Sequence, residues 1–315
     1  MTQPPVWRRA LQRAIPWAIT LACFVYLYTR LDAAARREDT ELFDYLARVF
    51  AEVSWPAWLA LMIPYSLFYF LIDTAVVWRV VSWFNTRIAY ADVLPIRGSS
   101  FILSILNEQV SKGAMALYLN RRHAVPGWEV GSSMLFIMFC EFFYLLAWAT
   151  LGYALRRESL PAAFEAIPYM ALAGGLFFAA FLVFFRSGRG AAGGLRERPL
   201  FRAFRRAAPA QYLVVMLIRS PALILAAWIY ARAAGLFGVS VGFGEMLGYL
   251  PVVFFGAATP GPMRSVAITF WVLLFPGHEV QMAAFGLVQH NFFIFFNAVI
   301  GLVFLRRAQR ELFGD

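Results

Sequence analysis

The chain has 315 residues, of which 61% are apolar and 15% charged. A soluble domain of this length carries nearer 25% charge, so a water-soluble fold is excluded. Its formal net charge of +10 does not indicate nucleic acid, because the arginines cluster in short segments between apolar runs, where they act as topology signals.

The predicted elements follow in chain order. The first apolar run, 14–29, is preceded by Arg8, Arg9 and Arg13 and followed by Ala33-Ala34-Ala35. It reads as a first span, or else as a signal peptide with an Ala-x-Ala site; later topology is the same either way. Further spans are predicted at 57–84, 127–155, 165–185, 209–234 and 280–306, each at least as long as the roughly 20 residues a bilayer requires. Two other apolar stretches, 92–120 and 242–276, are interrupted by polar or helix-breaking residues. The first break reads Asn107-Glu108-Gln109-Val110-Ser111-Lys112-Gly113, the second Thr259-Pro260-Gly261-Pro262-Met263-Arg264-Ser265. Freed backbone groups at membrane depth must face protein or a watery cavity, so both stretches read as re-entrant hairpins of two half-helices. The alternative is pairs of ordinary spans joined by loops. The fold class expected is an all-α polytopic membrane protein, with about six transmembrane helices and two re-entrant helical hairpins.

Charge orients these elements. Segment 186–208 carries seven Arg against one Glu and should be cytoplasmic; segment 30–56 carries four Arg against six acids and should lie outside. The arginines near both termini place those termini in the cytoplasm.

An offset of 150 residues aligns the chain on itself. Pro126-Gly127-Trp128-Glu129-Val130 falls on Pro276-Gly277-His278-Glu279-Val280, and Cys140-Glu141-Phe142-Phe143 on His290-Asn291-Phe292-Phe293. Two halves follow, about 57–155 and 207–305, with span 14–29 before them and span 165–185 linking them. Three spans separate equivalent elements, so the halves are expected to be inverted in the membrane. Inverted repeats with broken helices characterise transporters.

The residues of the first break, with Arg121-Arg122 after them, Glu141 deep in the next span, and Thr259-Pro260-Gly261 in the second half carry a resemblance. The chain resembles the flippase-like family, that is, the transmembrane domain of lysylphosphatidylglycerol synthases. The family's Pro before a basic-Gly-Glu element is absent from the first hairpin. Its second turn continues through Gly to Glu, where this chain has Pro262, Met263 and Arg264. No counterpart of the soluble synthase domain is read in the sequence. The resemblance therefore implies lipid translocation in a bacterial cytoplasmic membrane rather than lipid synthesis.

Ionisable residues within membrane spans are costly and face a cavity or a partner. Asn107, Glu108 and Lys112 of the first break form one candidate headgroup site; Glu108 and Lys112, four apart, could equally neutralise each other. Lys112 is the sole lysine. Glu141 has no opposite charge within a turn, and Arg219, midway along its own span, is its best partner, as a structural pair or as part of a site. Asp73 is read as facing the cavity and Arg79 as reaching the cytoplasmic interface. Thr259 and Arg264 lie at the second break, where Arg suits phosphate. His290, Asn291 and Asn297 complete the set. Cys23 and Cys140 show no disulfide or metal spacing, and no nucleophile or phosphate-loop motif is present. No cofactor, metal or enzymatic activity is expected. The expected ligand is a membrane lipid with an anionic or phosphate-bearing head. A small-solute or ion-coupled transporter, an intramembrane lipid-modifying enzyme and a scaffold for a partner synthase are the other readings.

Overall fold

A computed structural model describes residues 6–104, 108–187, 194–258 and 265–313. Among the described residues the chain is helical, with no strand. The helices are α1 (Val6–Arg37), α2 (Leu42–Glu52), α3 (Trp55–Phe84), α4 (Tyr90–Ser104), α5 (Glu108–His123), α6 (Gly127–Arg156), α7 (Ile167–Arg186), α8 (Arg202–Arg206), α9 (Pro209–Gly235), α10 (Phe243–Ala258), α11 (Ser265–Leu274) and α12 (Glu279–Phe313).

Five of these, α3, α6, α7 with its preceding turn, α9 and α12, are long and apolar enough to cross a membrane. Their outward residues are those that water would reject: Leu172, Leu176, Phe177 and Val183 on α7, and Phe295, Val299, Leu302 and Val303 on α12, are all exposed. Apolar surface on this scale has to be covered by lipid or by another protein, and the architecture is that of a multi-pass helical membrane protein. The expected span 14–29 falls inside α1. There Ala35 is fully buried, and Arg36 pairs with Asp32 one turn earlier at 2.9 Å.

The order long–short–short–long occurs twice, as α3–α4–α5–α6 and α9–α10–α11–α12. Within each set the short helices pack on each other, α4 on α5 and α10 on α11. The first break is narrower than expected. Residues 108–113 are helical and open α5, so Glu108 and Lys112 belong to a first helical turn rather than to a loop. Their polar side chains cost a helix little, unlike Pro or Gly. Residues 105–107 and 259–264 lie outside the described residues, and with them Asn107, Thr259 and Arg264, as do the side chains of Glu108 and Lys112.

The chain divides into two compact units. Unit 1 comprises residues up to Met62, Leu151–Phe164 and Ala227–Phe292. Its core is aromatic: Phe285 receives Trp271, Tyr230 and Phe237 at centroid distances of 5.1, 6.0 and 5.6 Å. Amphipathic α2 places Leu42 and Val49 inward and leaves Phe43 exposed. A Cβ on Gly152 of α6 would lie 2.5 Å from the Cα of Gly248 on α10, so only glycine permits this crossing.

Unit 2 comprises Ile63–Thr150, Glu165–Ala226 and the chain from Phe293. Val76, Val80, Val81, Val130, Phe136, Cys140 and Val215 form its dry core. The mostly exposed helix α7 is held by aromatic stacking, Phe181 lying 4.3 Å from Phe139, a contact type worth about 0.5–1.5 kcal/mol beyond area burial. Here too α4 meets α12 through glycine: a Cβ on Gly301 would stand 2.5 Å from Ile102 and 3.0 Å from the Gly98 carbonyl. Gly98 and Gly248 are separated by the same 150-residue offset found in the sequence.

Candidate functional site

Unit 2 contains a small pocket. Tyr69, Asp73 and Val77 of α3 line it, with Arg97 of α4, Met115 of α5, Met134, Ile137 and Glu141 of α6, and Arg219 of α9. Apolar walls surround four ionisable side chains.

Asp73 is the centre of the arrangement. Its Oδ2 accepts from Arg97 Nε at 2.5 Å and its Oδ1 from Arg219 Nη2 at 3.1 Å. Arg219 Nη1 donates in addition to Glu141 Oε1 at 3.3 Å. One carboxylate thus joins two guanidiniums, and the second guanidinium reaches a second carboxylate. The members differ in burial: the Asp73 side chain is 3% exposed and that of Glu141 36%. In an apolar surround a charged group is tolerated when paired and hydrogen-bonded, which the Asp73 carboxylate is on both oxygens.

Local structure fixes these groups. Asp73 follows a full helical turn of apolar residues on α3, and its neighbour Thr74 returns its hydroxyl to the Phe70 carbonyl at 2.7 Å. Arg97 lies on the short α4, its guanidinium over the Phe101 ring at 4.4 Å, a cation–π contact one turn along. Arg219 is held through its backbone: the Tyr144 hydroxyl donates to the Arg219 carbonyl at 3.2 Å, and Trp148 Nε1 donates to Ser220 Oγ at 3.1 Å. Pro221 follows two residues later inside α9. It has no N–H to offer the Leu217 carbonyl one turn before it, and the α6 side chains fasten the adjoining Arg219 and Ser220.

The guanidiniums retain unused donors. Arg219 is 7% exposed, yet its Nε has no hydrogen-bond partner among the described residues. Five N–H groups are available on each guanidinium, and Arg97 uses only Nε for a hydrogen bond among the described residues. Two buried cations with spare donors in a pocket suit an oxyanion.

Of the sequence candidates, Asp73, Glu141 and Arg219 are brought together here. Asn297 is buried in the same unit but outside the lining of this pocket. His290 and Asn291 belong to unit 1: His290 is buried, and Asn291 spends its amide on the Leu287 carbonyl of its own helix at 2.7 Å. The nearby polar contact in unit 1 joins Gln289 Nε2 to the Tyr230 hydroxyl at 2.5 Å. Arg79 is exposed beside Trp78 and Trp83. Arg97 was not anticipated. Its signal was present, since it is the sole charge in the run Val93–Leu106.

A second charged group closes the other end of α4 and α5. Glu311 of α12 accepts from Arg122 Nη1 at 2.5 Å and Arg307 Nε at 2.8 Å, and from the Tyr118 hydroxyl. Asp92 lies 3.5 Å from both arginines. No family model, curated protein or solved structure matches the chain.

Proposed function

We propose that this protein translocates a lipid with a phosphate-bearing headgroup, a phospholipid or a polyprenyl phosphate, across a bacterial cytoplasmic membrane. The observation carrying this reading is the pair of buried guanidiniums, Arg97 and Arg219, joined by Asp73 in a pocket among apolar helices. A phosphate head would sit on the two arginines while its tails stay among lipid. The role is transport and not chemical conversion.

The repeat supports it. Tyr69 and Arg219 are 150 residues apart and line the same pocket, as equivalent positions do when a site lies at the interface of two halves. Helices α4, α5, α10 and α11 have 15, 16, 16 and 10 residues. These correspond to lengths of about 15–24 Å, short of the roughly 30 Å hydrocarbon core. Each pair is therefore a re-entrant hairpin in this reading, the halves are inverted, and both termini are cytoplasmic.

The test is reconstitution in liposomes with fluorescent phospholipids and polyprenyl phosphates, quenched from one side. Protein-dependent translocation of a phosphate lipid, lost in Arg97→Gln, is expected. No movement across the lipid panel would overturn the reading, and uptake of a phosphate-bearing solute without lipid movement would replace it with solute transport.

A further inference from the structure

Asp73 and Glu141 are both carboxylates on Arg219, but they are not alike. Asp73 has a short side chain, is almost completely enclosed and engages both oxygens. Glu141 touches Arg219 through one oxygen at the longer distance of 3.3 Å, and its side chain is more than a third exposed. It also has one more rotatable bond by which to leave. Asp73 is built to stay, and Glu141 is built to be displaced.

We propose that Glu141 is a resident counter-anion, holding on Arg219 Nη1 the position that a ligand phosphate oxygen takes. Resting on the headgroup reading of this pocket, the exchange follows from the donors. A phosphate offers several acceptor oxygens, enough for Arg219 Nη1 and for the terminal nitrogens of Arg97, which make no hydrogen bond among the described residues. Glu141 swings to the exposed side as phosphate arrives, so one anion replaces another on Arg219. While the pocket is empty Glu141 keeps the buried cation paired. With ligand present it competes, which holds affinity low enough for release. Weak monodentate anions fail to displace it, and a phosphate bridging both arginines succeeds. Glu141 thus sets both the threshold of binding and the preference for phosphate.

The experiment is calorimetric titration of purified protein in detergent with dihexanoyl phosphatidic acid and, separately, with inorganic phosphate. Wild type is compared with Glu141→Gln, Glu141→Asp and Arg97→Gln, each checked for monodispersity. Removing a partly exposed ion pair of this length should tighten phosphatidic acid binding up to about fivefold in Glu141→Gln. Glu141→Asp, whose shorter side chain cannot hold the same contact, should shift in the same direction and serves if Glu141→Gln does not fold. Arg97→Gln should weaken binding. Equal gain for inorganic phosphate would assign the site to free phosphate with the counter-anion intact. Unchanged or weaker binding in both Glu141 variants, with Arg97→Gln still impaired, would overturn the counter-anion and leave the headgroup site standing. Identical binding by wild type and Arg97→Gln would overturn both.

Discussion

Asp73→Asn is the sharpest test of the charged pocket as a structural unit. The substitution is nearly isosteric and retains one acceptor oxygen, so it removes charge with little change of packing. Two charge-assisted hydrogen bonds, from Arg97 and from Arg219, lose their ionic character; each is worth about 1.5–3 kcal/mol. The amide recovers about 1 kcal/mol as a neutral acceptor. Two guanidiniums, both under a tenth exposed in their side chains, are then left facing each other with, among the described residues, Glu141 on Arg219 as the remaining carboxylate. The net loss is about 2–5 kcal/mol, in the range of stranding a buried charge. For a chain of this size that is a fall in Tm of roughly 3–8 °C. The assay is thermal unfolding in detergent, followed by the fluorescence of a fused reporter on size-exclusion chromatography. Asp92→Asn is the control, because its two contacts are at 3.5 Å and its side chain is 36% exposed; it should lose about 1 kcal/mol or less. A fall for Asp73→Asn no greater than that of the control would refute the argument that the pocket's charges are mutually dependent.

Other outcomes follow from contacts elsewhere. Gly152→Ala places a methyl 2.5 Å from the Gly248 backbone and should cost about 1–3 kcal/mol by forcing α6 and α10 apart, whereas Gly113→Ala, with open space around it, should be neutral or stabilising by up to about 1 kcal/mol; thermal unfolding of the two variants separates them. Glu311→Gln loosens its contacts to Arg122, Arg307 and Tyr118 together. Faster proteolysis between α5 and α6 is the expected signature, and an unchanged pattern would mean the cluster holds nothing. Single cysteines placed at Glu38 and Arg206 in a cysteine-free background should label from opposite faces of oriented vesicles, since they stand in the acidic and basic connecting segments. Labelling of both from one face would overturn the orientation.

The long helices were legible because a bilayer-length apolar run has few other uses. Span 57–84 became Trp55–Phe84 and span 127–155 became Gly127–Arg156. Helix α2 escaped notice, although Leu42, Tyr45, Leu46 and Val49 have helical spacing, because the charges around it read as a loop. The site was half legible. Asp73, Glu141 and Arg219 stood out as ions in apolar runs, and the Glu141–Arg219 pairing followed from the lack of any nearer partner. That Asp73 also belongs to it, and that Arg97 is its second cation, depends on α3, α4 and α9 meeting. Such a meeting joins residues 24 and 146 positions apart and leaves no periodic trace in the sequence.

The 150-residue offset also shows where the charged site is not repeated. The positions it assigns to Asp73, Arg97 and Glu141 are Leu223, Leu247 and Asn291. Leu223 and Leu247 are buried, at 1% and 6% exposure, so the positions equivalent to Asp73 and Arg97 carry apolar packing in place of ions. Writing the cation into these positions should therefore fail. Leu247→Arg would bury a guanidinium where the equivalent positions supply no anion, at a cost of about 3–5 kcal/mol. Leu247→Met, with nearly the same volume and no charge, should cost less than about 1.5 kcal/mol. Thermal unfolding of the pair measures the difference. Equal stability of the two variants would mean that a carboxylate reaches this position, and the confinement of charge to the Asp73 pocket would be refuted.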